Sequence, residues 1–135
     1  MKILFLDDNE NRHSKFRQQS IGCSVDHVYT AAEAIEKIDD EDVTYDIIFL
    51  DHDLNWQTEN QLNEDEEDGR TVARHLATVD RYKDSIVIIH SLNNQGGMLM
   101  KGILEDGGYE NAFYYPFAWQ HFQKDSQGNW VVKPD

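Results

Sequence analysis

The residues best suited to chemistry are acids and histidines that stop apolar runs. Ile3-Leu4-Phe5-Leu6 ends in Asp7-Asp8, Ile47-Ile48-Phe49-Leu50 ends in Asp51-His52-Asp53, and Ile86-Val87-Ile88-Ile89 ends in His90. Solvated charges have no reason to prefer such positions, so three endings of this kind imply one shared site. Several carboxylates in one crevice repel one another unless a cation sits among them or some stay protonated. Asp7, Asp8 and Asp51 are the expected metal ligands, with Asp53 and His90 as weaker ones. An all-oxygen set suits Mg²⁺, and an imidazole ligand shifts the preference towards Mn²⁺ or another transition metal. His90 is expected to be a general acid or base, because imidazole titrates near neutrality. His52 reads either as an ordinary loop histidine or, with Asp53, as a metal ligand or proton relay. His13, His27, His75 and His121 have no company in the sequence and read as surface or partly packed residues.

Ser91-Leu92-Asn93-Asn94-Gln95-Gly96-Gly97 follows His90 and leads into a predicted helix. Glycines before a helix let backbone amides turn towards an anion, and a helix N-terminus favours negative charge. Gly96 and Gly97, with Ser91 and Asn93 beside them, are thus a candidate phosphate seat. Arg12, just past the Asp7-Asp8 pair, reads either as a partner for a phosphate oxygen or as a solvated side chain at a helix start. Ser91 next to His90 lacks the backbone context of a serine-hydrolase elbow.

The elements that position these residues follow from periodicity. Unbroken β-branched and aromatic runs read as strands buried on both faces. The more alternating segment 24–29 reads as an edge strand, and 112–115 as a fifth strand stopped by Pro116. Helical patterns cover 11–20, with Phe16 inward, and 69–79, with Val72, Ala73, Leu76 and Val79 on one face. Another spans 97–105, where Met98 and Met100 are assigned to core packing. Thr30-Ala31-Ala32-Glu33 is a capping box that starts one more helix. Strands alternating with helices imply parallel βαβ units, and ligands then bind outside the carboxyl ends of the strands. Residues 55–68 hold six acids (Glu59, Glu64, Asp65, Glu66, Glu67 and Asp68) and read as a solvated insertion, the alternative being a lid. Asp125-Ser126-Gln127-Gly128-Asn129 is turn chemistry before an extended Trp130-Val131-Val132, so 118–135 is expected to form a β-hairpin rather than a last helix.

Composition narrows the partners. The chain has 135 residues, a single-domain length, with 12 Lys+Arg, 26 Asp+Glu and a net charge of −14. That charge disfavours a long nucleic acid or an anionic membrane surface, because both need clustered cations. The one cysteine, Cys23, fits a reducing compartment, and the first residues resemble neither a signal peptide nor a membrane span. A cytoplasmic location is expected.

Over residues 1–117 the pattern resembles a two-component receiver domain. Lys2-Ile3-Leu4-Phe5-Leu6-Asp7-Asp8, Asp46-Ile47-Ile48-Phe49-Leu50-Asp51, Asp68-Gly69 and Tyr115-Pro116-Phe117 carry the likeness. It implies a flavodoxin-like α/β fold, a five-stranded parallel sheet of order 2-1-3-4-5, Mg²⁺ on Asp7 and Asp8, and Asp51 as phosphoacceptor. Two positions depart from it: His90 stands where receivers carry Ser or Thr, and Tyr115 where they carry a phosphate-binding Lys. Leu50-Asp51-His52-Asp53-Leu54 and His90-Ser91-Leu92-Asn93-Asn94-Gln95-Gly96 are similar to a narrower group, the cyclic-phosphate-processing receiver domains. That resemblance implies metal-assisted hydrolysis of a cyclic phosphate on a nucleotide or RNA end, in the context of RNA repair. Its alternative is a non-catalytic receiver that regulates or binds a protein partner. The Asp-x-Asp pair of topoisomerase-primase domains fits less well, since the Glu after the first strand and the basic DNA-facing residues are missing.

Overall fold

β1 (Lys2–Leu6), β2 (Ser24–Val28), β3 (Ile47–Leu50), β4 (Ile86–Ile89) and β5 (Ala112–Tyr114) form a five-stranded sheet in the order β2-β1-β3-β4-β5. All four pairings are parallel. The computed structural model describes residues 1–54 and 68–133. The acidic insertion lies almost wholly outside these, so its reading as a lid does too. No helix among the described residues is long and apolar enough to cross a membrane.

Alternation along each strand sorts the side chains onto two faces. Leu4, Leu6, Ile48, Leu50, Val87 and Ile89 join one core, with Ala31, Ala34 and Ile38 of α2 (Ala31–Asp39). Val72, Ala73 and Leu76 of α3 (Gly69–Ala77), and Met100 and Leu104 of the following helix (Asn94–Asp106, α4), complete it. Ile3, Phe5, Ile47, Phe49 and Ile88 join the other core, against Phe16 of α1 (Glu10–Gln19) and against Ala118, Trp119 and Phe122. Each fully buried Leu, Ile or Phe contributes about 1.5–3 kcal/mol of transfer free energy. Two covered faces explain why the strand sequences are apolar throughout rather than alternating.

The last helix of the usual receiver is replaced as expected. A 3₁₀ turn (Ala118–His121) leads into the antiparallel pair β6 (Phe122–Lys124) and β7 (Trp130–Val132). Asp125 Oδ1 accepts from the amides of Gln127 and Asn129, both at 2.9 Å. Gly128 takes the left-handed φ of 81° that closes the turn. Phe122 stacks on Trp130 with centroids 4.8 Å apart, which locks the hairpin over the aromatic face.

Three details differ from expectation. α4 begins at Asn94, not at Gly97, because Asn93 caps it: its Oδ1 accepts from the Gly96 amide at 2.9 Å. Met98 is 53% exposed, and only Met100 of the methionine pair enters the core. His13 is fully buried, where a surface or partly packed residue is expected, on the same inward side of α1 as Phe16.

Candidate metal and phosphate site

Parity decides which acids meet. Asp7 continues the Ile3–Phe5 side of β1, Asp51 the Ile47–Phe49 side of β3, and His90 the Ile88 side of β4. All three therefore emerge on the aromatic face, at the carboxyl ends of adjacent strands. Asp7, Asp8 and Asp51 are buried and each offers an oxygen within 4.8 Å of the others. The start of α3 packs directly on the backbone of the third: a Cβ on Gly69 would stand 2.2 Å from the Asp51 carbonyl oxygen, so only glycine fits there.

The cluster is only partly satisfied. Asp7 Oδ1 accepts from the Asn9 amide at 2.8 Å, and Asp7 Oδ2 from Arg12 Nε at 2.7 Å. Arg12 Nη2 stands 3.7 Å from both Asp8 Oδ1 and Asp51 Oδ2, inside ion-pair range but beyond a hydrogen bond. Asp51 Oδ1 accepts from the His52 amide at 2.9 Å, while Asp51 Oδ2 is buried with no hydrogen-bond partner. Burial first, and then the Asp7 charge, push the Asp51 carboxyl up to about 8, against the opposing pull of Arg12. Three buried acids, one with an orphaned oxygen, are the donor set a divalent ion fits.

His90 stands beside it, 3% exposed, its ring stacked on Phe5 at 5.1 Å and edge-on to Phe49 at 6.0 Å. Its Nε2 lies 3.0 Å from the Leu6 carbonyl oxygen. A carbonyl only accepts, so Nε2 carries the proton and Nδ1 presents a lone pair. Burial lowers the ring pKa to about 4, so this tautomer is the neutral-pH form. Nδ1 has no hydrogen-bond partner and faces Asp7 Oδ2 at 3.6 Å.

Below the acids lies a histidine pair. His13 Nε2 is 2.8 Å from the Asp7 carbonyl oxygen, and His13 Nδ1 is 2.6 Å from His27 Nδ1. The carbonyl fixes the proton on His13 Nε2, so His27 Nδ1–H donates to His13 Nδ1. The cluster thus clamps the backbone of a candidate ligand.

A crevice of about 210 Å³ opens on the acids, lined by Asp8, Asn9, Arg12, Asp51, Asp53 and His90 together with Leu92, Pro116, Phe117 and Trp119. Leu92 is 63% exposed and Phe117 41% exposed, so part of its lining is apolar and solvent-facing.

The profile of the family described as "Cyclic-phosphate processing Receiver domain" matches residues 2–106. The chain belongs to this family. Solved structures show the same fold. The signal receiver domain of a protein named as a Luxo repressor, from Vibrio parahaemolyticus, is 20% identical, with 87% of this chain and 80% of that chain covered and a TM-score of 0.59. The phosphorylated cyanobacterial phytochrome response regulator RcpA is 18% identical (93% and 81% covered, TM-score 0.59). A Burkholderia pseudomallei response regulator with a phosphorylated aspartic acid, a calcium ion and citrate is 17% identical (85% and 59% covered, TM-score 0.58). A search of the curated proteins found no match.

Within this receiver fold the remaining candidate residues separate. Asp53 is exposed at the crevice mouth, 2.8 Å from His52 Nδ1. His52 itself packs on the start of α4, where a Cβ on Gly96 would meet its ring at 2.5 Å. Gly97 has a similar role, since its Cβ would meet the Tyr114 ring at 2.3 Å. The amides of both glycines are already engaged, with Asn93 Oδ1 at 2.9 Å and the Asn93 carbonyl oxygen at 2.8 Å. The expected amide cradle at Gly96 and Gly97 is thus spent inside the helix's first turn. Ser91 Oγ accepts from the Asn93 amide at 3.0 Å and shapes the same turn. Tyr115 does not line the crevice: it stacks on Phe113 at 5.6 Å and lines an apolar cavity with Ile88, Trp130 and Val132. Residues 113 and 115 share one side of an extended chain, which carries the phenol away from the acids. Of the phosphate set, only Arg12 reaches the crevice. Leu92, Phe117, Trp119 and the inward His13 have no role at the site on the sequence alone. For His13 the signal existed, since it precedes Phe16 by three residues on one helix face.

Proposed function

We propose that this receiver domain hydrolyses a cyclic phosphate ester of nucleotide size, with a divalent ion held by Asp7, Asp8 and Asp51. The observation that carries this reading is the buried acid trio with its orphaned Asp51 Oδ2, open to a crevice. The family description points to the same substrate class. A bound divalent ion supplies charge to polarise the phosphate and to lower the pKa of an attacking water. Arg12, 29% exposed at its side chain, orients the phosphoryl oxygens and replaces the charge lost where Tyr115 stands for lysine. His90 presents only a lone pair at Nδ1, so it does not donate a proton to the leaving oxygen. Asp53, at the mouth and bonded to His52, passes protons between crevice and solvent. Leu92 and Phe117 rest against the organic part of the ester. Incubating the full chain with 2′,3′-cyclic nucleotides and Mn²⁺ or Mg²⁺ should give ring-opened monophosphates, and EDTA should stop it. A folded protein with no turnover under either ion refutes catalysis.

A second reading has its own observation. Arg12 already lies 2.7 Å from Asp7 Oδ2 and within 3.7 Å of Asp8 and Asp51, so a side chain partly neutralises the cluster. The domain is then a non-catalytic receiver binding a protein partner. Asp51→Asn would alter partner binding while no ester is cleaved.

A further inference from the structure

We infer that Arg12 competes with the divalent ion for the acid trio, and that the ion, once bound, releases the guanidinium to an anion in the crevice. This rests on the reading that Asp7, Asp8 and Asp51 hold such an ion. That reading gives Arg12 the phosphoryl oxygens; the exchange says when it becomes available to them.

Arg12 is in reach of all three acids. Its Nε donates to Asp7 Oδ2 at 2.7 Å, and its Nη2 stands 3.7 Å from Asp8 Oδ1 and 3.7 Å from Asp51 Oδ2. Asp51 Oδ2 still has no hydrogen bond, so the guanidinium offsets its charge without satisfying it. A divalent ion carries twice the charge and approaches carboxylate oxygens to about 2.0–2.6 Å. Two cations drawn to the same buried oxygens repel each other, and the closer, more highly charged one wins. The guanidinium has to give way.

Only the side chain needs to turn. Arg12 lies in the first turn of α1, where its amide donates to Asn9 Oδ1 at 3.1 Å, so the backbone stays fixed. The side chain is 29% exposed and lines the crevice. Among the described residues no other Lys or Arg lines it. While Arg12 serves the acids, an anion entering the crevice meets Asp8, Asp51 and Asp53 and no unspent cation. An ion on the trio reverses that local field. The freed guanidinium then offers paired N–H donors to two phosphoryl oxygens. Metal and anion are thereby coupled, each raising the other's affinity by the same factor.

The test uses the full chain, with Mn²⁺, Mg²⁺ and inorganic phosphate as probes. In Mn²⁺ titrations followed by electron paramagnetic resonance, Arg12→Gln should bind the ion about tenfold more tightly than wild type, a gain that structural damage does not produce. By calorimetry, saturating Mg²⁺ should raise the affinity of wild type for inorganic phosphate about tenfold or more, and Arg12→Gln should lose most of that rise. In ¹⁵N NMR spectra, the Arg12 Nε–H of wild type should lose the downfield position and slow exchange of a carboxylate-bonded group when Mg²⁺ is added. Equal or weaker Mn²⁺ binding by Arg12→Gln overturns the inference and leaves the acid-trio reading standing. An Arg12 resonance that stays in place while Mg²⁺ binds does the same, as does an equal rise in phosphate affinity in both proteins. Mn²⁺ that binds neither folded protein overturns both readings together. Should Arg12→Gln fail to fold, the wild-type resonance decides without a variant.

Discussion

Two buried polar clusters flank Asp7, and they solve burial in opposite ways. Below, His13 and His27 pair with each other and with the Asp7 carbonyl, so both Nδ1 atoms and His13 Nε2 are used. Above, the acid trio and His90 leave Asp51 Oδ2 and His90 Nδ1 unmatched. Both sit against the same aromatic core, with Phe5 touching His13, His27 and His90. A self-satisfied cluster fixes backbone geometry, whereas an unsatisfied one is built for something it does not itself contain.

Removing a candidate ligand is the strongest way to break the contrast. Asp8→Ala should weaken divalent-ion binding by about a hundredfold or more, measured by Mn²⁺ titration, with the fold intact by circular dichroism.

Next in size is Asp51→Asn. The Asp51 carboxyl titrates at about 8 in the folded chain against an ordinary 3.8, so the folded state holds its proton over that window. Its contribution is fully present below about pH 4 and lost as pH rises through 8, at up to ~1.4 kcal/mol per pH unit. In metal-free protein the Asn variant should be more stable than wild type at pH 8 by a few kcal/mol (order of magnitude) and equal to it near pH 4. Urea midpoints at the two pH values measure this, and saturating Mn²⁺ should cancel the difference.

The histidine pair carries the opposite slope. Burial and the neighbouring His13 hold His27 down at about 4, against an ordinary 6.5. Its stabilisation is present above 6.5 and falls away as pH drops towards 4. His27→Ala leaves His13 Nδ1 unpaired and should cost about 1–3 kcal/mol at pH 7, with a flatter loss on acidification. Chemical denaturation at pH 7 and pH 4.5 checks both.

The smallest effect belongs to a polar pair outside both clusters. His75 Nε2 lies 2.7 Å from Asp39 Oδ1, with side chains 31% and 53% exposed. His75→Ala should shift stability by less than about 1 kcal/mol, which sharpens the contrast by showing that burial, not pairing, sets the scale.

The strand ends were legible because apolar runs that stop on ionisable residues carry both position and chemistry. Asp7, Asp8, Asp51 and His90 were found that way, and the structure brings them together. The phosphate side was less legible. Gly96 and Gly97 have the composition of an anion cradle, but α4 starts three residues earlier and consumes their amides. Tyr115 has the right place along the chain, yet the hairpin offers it an apolar partner face. Exposed apolar residues such as Leu92 and Phe117 look ordinary singly and gain meaning only where they line the same crevice as the acids.

By itself the sequence determined the alternating α/β order, the sheet order through its likeness to receivers, the terminal hairpin and the acids at three strand ends. Those depend on local periodicity, turn chemistry and residue type, which the chain carries in register. Tertiary structure alone decided which lone pairs are left over. The tautomer of His90 depends on a carbonyl 84 residues away, and the orphaned Asp51 oxygen on where Arg12 reaches. Hydrogen-bond satisfaction is a property of three-dimensional neighbours, and it is what distinguishes the candidate metal centre from the histidine pair beneath it.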